Sequence, residues 1–155
     1  MIFSGFGNAP AHMSFDRMAK AVDEFAKISE EEVLVQIGHT QYKFKYAKTV
    51  KFMDHEELLA TIERASLVIL QGGWGTIAES VALGKKVISI PRRVGQECNH
   101  PQEEVVRHLE GMGCLIGCYD ESRLPEMVEK SKEFVPKQMP KGSAKEVLMD
   151  FFNSL

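Results

Sequence analysis

Cysteine is scarce in this sequence, and its three residues, Cys98, Cys114 and Cys118, form no CxxC unit. Neither a disulfide framework nor a zinc ribbon is indicated, and reduced thiols in a cytoplasmic protein are the expectation. An excess of charge of one sign is also missing. The net charge is −3 over 155 residues, with no cluster of Lys and Arg. Composition therefore gives no sign of a nucleic-acid surface, although a small anion can still be held locally. No run approaches the roughly 18 apolar residues of a membrane span. Met1-Ile2-Phe3-Ser4-Gly5 has no basic region followed by an apolar stretch, so no secretory leader is expected. Internal repeats, low-complexity tracts and linkers are absent too. What is present is 44% hydrophobic and 26% charged residues, the make-up of a globular domain. A single domain over 1–155 is expected, long enough to bury roughly 70% of its unfolded surface.

Short β-branched runs alternate with amphipathic helical stretches. Ile2-Phe3 begins a first strand, and a loop with Gly5, Gly7 and Pro10 follows it. Ser14 is positioned to cap a helix running to about Ile28. Val33–Ile37 and Thr49–Met53 read as the second and third strands. Asp54 caps the next helix, which carries Leu58, Leu59, Ile62 and Ala65. Leu67-Val68-Ile69-Leu70 is nearly continuous apolar sequence, as expected of a central parallel strand covered on both faces. A helix follows from about Thr76 to Leu83, then a strand at Lys86–Pro91, a helix from Pro101 to about Gly111 and a last strand at Cys114–Cys118. Two helices near 124–133 and 144–152 close the chain. This alternation predicts an α/β fold with a doubly wound, mostly parallel, Rossmann-like sheet.

Ligands of such sheets sit outside the carboxyl ends of the strands. Gly72, Gly73, Trp74 and Gly75 follow the fourth strand at that end. Their glycines allow the backbone to approach a ligand, and the helix after them offers free N–H groups and partial positive charge. A pyrophosphate fits there. Thr76 adds a hydroxyl, and the Glu79 carboxylate can accept two hydrogen bonds from a ribose diol. The plainer alternative is a tight strand-to-helix turn with a solvated acid and a Trp packed on a partner surface. After the next strand, Arg92 and Arg93 can neutralise phosphate charge, while Gln102 and Glu103 can bind sugar hydroxyls; for the arginines alone, a solvated surface pair is the competing reading. His12, in the first loop, is the one candidate base, and a lone loop histidine is more often simply surface. His39 carries the same caution, and His55 and His108, on helices, look structural. No histidines and acids share metal-ligand spacing, so a catalytic metal is not expected.

Leu67 through Ile88, with Gln71-Gly72-Gly73-Trp74-Gly75-Thr76-Ile77-Ala78-Glu79 at its centre, resembles the most characteristic segment of the C-terminal, donor-binding half of family 28 glycosyltransferases, in their stand-alone subunit form. Phe15-Asp16-Arg17-Met18, Val35-Gln36-Ile37-Gly38, Pro91-Arg92-Arg93 and Asn99-His100-Pro101-Gln102 extend the resemblance over nearly the whole chain. It implies half of a GT-B enzyme, with Glu79 on the ribose hydroxyls, the Gly73–Thr76 backbone and the Thr76 hydroxyl on the diphosphate, and Gln102 on the sugar. No metal at the diphosphate and no cofactor are implied, the UDP-sugar being a substrate. Helix N-termini and hydrogen bonds would stabilise the departing UDP. Two departures stand out: the first loop is longer than the family's, and Pro101 replaces the His that commonly precedes Gln102.

The function expected on this basis is transfer of a hexosyl or N-acetylhexosaminyl group, with inversion, from a UDP-sugar to a lipid-linked saccharide acceptor in polysaccharide or lipid-linked glycan synthesis. A membrane-associated partner chain would bind the acceptor and recruit this cytoplasmic chain to the inner face of the membrane. Two alternatives are a nucleotide phosphoribohydrolase of the lysine-decarboxylase-like type and a non-catalytic nucleotide-sugar-binding regulator. The first normally carries two adjacent acids, whereas Ala78 precedes Glu79 here.

Overall fold

The structure is a computed structural model and describes residues 1–139. Six parallel strands form one sheet: β1 (Ile2–Gly5), β2 (Val33–Gln36), β3 (Lys48–Val50), β4 (Leu67–Gln71), β5 (Val87–Ile90) and β6 (Ile116–Gly117). Their order is β3-β2-β1-β4-β5-β6. Between them run α1 (Asp16–Ile28), α2 (His55–Arg64), α3 (Trp74–Ala82) and α4 (Gln102–Gly111), and α5 (Leu124–Ser131) follows β6. Ile2 of β1 lies opposite Val33 on one side and Leu67 on the other. The chain therefore winds outward in both directions from the β1–β4 pair, which makes that pair the topological switch point.

The strand sequences dictate two cores. In β4, Leu67 and Ile69 face one side while Val68 and Leu70 face the other, and all four are buried. Leu67 and Ile69 pack with Met18, Val22 and Phe25 of α1 and Leu124 of α5. Val68 and Leu70 pack with Ile62 of α2, Ile77 and Val81 of α3, and Val106 and Leu109 of α4. Each buried aliphatic side chain of this kind contributes about 1.5–3 kcal/mol.

The β2–β3 connection contains no helix, yet β2 and β3 are parallel. Tyr42, Phe44 and Ala47 cover that part of the core instead, with Phe44 edge-on to Phe6 at 6.1 Å. Buried Asp23 of α1 anchors the segment by accepting the N–H groups of Lys45, Tyr46 and Ala47 at 2.9–3.0 Å.

Several boundaries differ from the sequence expectation. Asp54 does cap α2, accepting the Glu57 N–H at 2.8 Å. Ser14 does not cap α1; its hydroxyl donates to Asp16 at 2.6 Å, and Phe15 occupies the cap position with its ring fully buried. The helix α3 begins at Trp74, two residues earlier than expected. The last strand is limited to Ile116–Gly117, because the Gly117 N–H turns to Glu110 at 2.6 Å and Cys114 closes the α4 terminus on Leu109. The helix expected near 144–152 lies outside the described residues.

Candidate functional site

The loops leaving β1, β4 and β5 meet at the carboxyl edge of the switch point. Between them is a small cavity of about 20 Å3, lined by Gly5, Gly7, Gln36, Gln71, Gly73 and Thr76 above a floor of Phe3, Leu58 and Leu70. Gln71 packs closely against Gly7 and Gly73 of its walls. A Cβ on Gly7, whose φ is 71°, would stand 2.8 Å from the Gln71 amide nitrogen, and one on Gly73 would collide with that nitrogen outright.

The first turn of α3 opens beside this cavity. Gly73 is its cap and offers no side chain, and the turn contains no acid. Among the described residues, its leading N–H groups have no side-chain acceptor, and no acid in the first turn offsets the positive end of the helix dipole. The α4 terminus, which also reaches the crevice, differs: Glu103 and Glu104 occupy its first turn. Of the two helix ends, α3 is the one electrostatically suited to an anion. Thr76 lies in its first turn, partly buried, and Glu79 lies in the second. The Glu79 carboxylate is 35% exposed and stands 3.4 Å from Nε2 of His55, the first residue of α2.

Trp74 lies within α3 rather than in the turn before it. It is the first residue of α3, partly buried against the core, and it borders a mostly apolar cleft of about 140 Å3 with Gly72, Gly73, His100, Pro101, Gln102 and Val105. Gly75 follows it in the helix, exposed, and a Cβ there would meet nothing within 4 Å.

Arg92 is not a surface charge. It is 4% exposed, and its guanidinium donates to Gln71 Oε1 at 3.1 Å and to the carbonyls of Met13, Glu97 and Phe6 at 2.6, 3.2 and 2.8 Å. With four of five N–H donors engaged on protein oxygens, it is committed to holding loops rather than offered to phosphate. Burial lowers its pKa, an effect partly countered by nearby Glu97. Gln102 is similarly engaged: its Oε1 accepts the N–H groups of Gly72 and Arg92, each at 3.0 Å, and its Nε2 donates to Gln71 at 2.7 Å. Glu103 forms an exposed i,i+4 pair with Arg107 at 2.9 Å, along the helix surface. Arg93 and His12 are exposed. The structure thus brings Gly72, Gly73, Trp74, Gly75, Thr76 and Glu79 together at α3, joins Gln102 and Arg92 beneath them, and leaves Arg93, Glu103 and His12 outside the cavity lining.

Three further residues stand at this rim. His55 looks structural on a helix, yet it is the first helical residue after the Asp54 cap, at the crevice. Gln71 ends β4 and enters the cavity. Phe52 follows β3, is 47% exposed and stands edge-on to His39 at 5.2 Å. An aromatic just beyond the carboxyl end of a strand was the available signal. Among the described residues, no group of three or more His, Cys, Asp or Glu side chains is arranged to hold a metal ion, and no helix is long and apolar enough to cross a membrane.

Comparison with solved structures finds the same architecture. A glycosyltransferase of kitacinnamycin aligns over 99% of this chain and 38% of its own, with TM-score 0.59 and 19% identity. The glycosyltransferase SnogD from Streptomyces nogalater aligns over 97% of this chain and 43% of its own, with TM-score 0.61 and 16% identity. The chain therefore spans less than half the length of these relatives, and the fold it shares with them is the C-terminal, Rossmann-like half of a GT-B glycosyltransferase. No curated protein matches the sequence. The glycosyltransferase family 28 C-terminal domain matches residues 11–153, nearly the whole chain, which belongs to that family.

Proposed function

We propose that this chain binds the UDP-sugar donor of a glycosyltransferase and that transfer of its hexosyl or N-acetylhexosaminyl group, with inversion, requires a second, membrane-associated chain carrying the lipid-linked acceptor. The observation that carries the donor site is the first turn of α3: uncapped, free of acids and set at the switch-point crevice. A diphosphate placed there meets N–H groups and the helix dipole, so its charge is held without a metal ion. Its ribose falls toward Glu79, one turn further on, whose carboxylate accepts the diol. Phe52 presents an exposed ring for the base at the β3 rim. As the sugar departs, negative charge grows on the UDP oxygens, and preorganised N–H donors stabilise that charge more than the ground state. The two structural relatives are more than twice as long as the aligned region, so the residues here correspond to only part of such an enzyme. The second, membrane-associated chain would also recruit this one to the inner face of the membrane.

Calorimetric titration with UDP, UDP-sugars and AMP tests the reading. UDP is expected to bind, with affinity falling at least tenfold in Glu79→Ala through loss of a charge-assisted bidentate contact of about 1.5–3 kcal/mol. Preference for AMP, with release of free base, would overturn it in favour of a phosphoribohydrolase.

A further inference from the structure

We propose that Arg92 is a positioning residue of the donor site: without touching the ligand, its buried guanidinium sets the Gly72–Gly73 turn through Gln71 and Gln102. The proposal rests on the UDP-donor reading of the same crevice.

The acceptors of Arg92 carry the argument. Phe6 and Met13 are the two ends of the loop leaving β1, Glu97 lies in the loop leaving β5, and Gln71 ends β4. One side chain therefore ties together the three segments that converge at the switch point. Three of its four bonds go to backbone carbonyls and the fourth to an amide, so none goes to a carboxylate. A buried cation held on neutral oxygens fixes the geometry of those oxygens at a desolvation cost that a simple core residue would avoid.

From Arg92 the geometry passes to the turn by a closed ring of hydrogen bonds. Gln71 Oε1 accepts from Arg92 Nε and from Gln102 Nε2. Gln102 Oε1 returns to the Arg92 N–H and also accepts the Gly72 N–H. Gly72 is thus held facing α4, and the unpaired N–H groups of α3 begin immediately after it. The absence of a Cβ at Gly72 is what permits the approach, since one there would stand 2.8 Å from the Gln102 Cβ. The guanidinium is itself fixed from its other side. It lies 4.8 Å from the centroid of the Phe15 ring, while Arg17 lies 4.7 Å from that centroid and is paired with Glu97 and Glu121.

Lysine retains the charge but not the fork that reaches four acceptors in different directions. UDP affinity of R92K, Q71M and the double variant, measured by calorimetry on folded protein, tests the proposal. R92K and Q71M are each expected to weaken UDP by about tenfold, and the double variant to be little weaker than either, as for residues acting through one network. Wild-type affinity in R92K, or independent losses that multiply in the double variant, would overturn it. Hydrogen exchange at the Gly72 amide supplies a second readout that needs no ligand. Faster exchange in R92K, or in Q71M where R92K fails to fold, supports the network, and unchanged exchange overturns it. Should wild-type protein bind no UDP, the donor reading fails and a donor-site role for Arg92 with it, and the exchange measurement then decides only whether Arg92 sets the Gly72–Gly73 turn.

Discussion

Gly73 and Gly75 stand two residues apart, yet only one of them has a close neighbour in the protein. A Cβ on Gly73 runs into the Gln71 amide, whereas one on Gly75 meets open space within α3. Alanine is the better helix former, so Gly75→Ala is expected to stabilise the fold, by about 0.5 kcal/mol. If the exposed backbone at Gly75 exists for close approach of a diphosphate, the same change weakens UDP binding. Chemical denaturation and UDP titration of this one variant should therefore move in opposite directions; a gain in both would mean that Gly75 serves no ligand. This contrast was only half visible in the sequence. The glycines marked the turn as a ligand approach, but nothing in the string distinguished the one packed on Gln71 from the one facing outward. Arg92 and Gln102 were misread for a related reason. Their types and position after a strand suggested ligand contacts, and only the fold revealed acceptors at Phe6, Met13 and Gln71 and a donor at the Gly72 N–H.

At the level of elements, legibility followed how local the determining interaction is. The β4 run and the Asp54 cap were readable because four apolar residues and one side chain three residues from its N–H decide them. The start of α1, the length of β6 and the covering role of 37–47 were not, because burial of the Phe15 ring, the Glu110 carboxylate and Asp23 decide them through packing and hydrogen bonds that only the fold supplies. Asp23 also makes that segment sensitive to acid. Burial pushes its carboxyl up, but the N–H groups of Lys45, Ala47 and Tyr46 and the Tyr42 hydroxyl together outweigh burial and hold its pKa below the ordinary 3.8. A lowered folded-state pKa means stability that is present above the unfolded value and lost as pH falls through the folded one. Asp23→Asn is therefore expected to lose about 2 kcal/mol at pH 7, through unsatisfied backbone donors. Its deficit against wild type should shrink below pH 4. Urea midpoints at pH 7 and pH 3 check this, and an equal deficit at both would show that the charge on Asp23 does not hold the segment.

The whole molecule joins these scales, because the crevice is assembled from chain segments far apart in sequence. Phe6 and Met13, Gln71 through Thr76, and Arg92 through Gln102 reach the site only when β1, β4 and β5 pair and both cores close. An unfolded chain has no such arrangement, so a ligand of this crevice binds the folded state alone and stabilises it by mass action. At a UDP concentration 100-fold above its Kd the stabilisation is about 2.7 kcal/mol, which for a domain of this size raises Tm by roughly 5–10 °C. The shift should grow with the logarithm of UDP concentration and be much reduced in Glu79→Ala. It should occur in the isolated chain, since every donor-site group named here lies within it, whereas sugar transfer should await the second chain. A saturating UDP shift that appears only when a partner is added would place part of the donor site on that partner, and the crevice of this chain would then be incomplete for the nucleotide as well as for the acceptor.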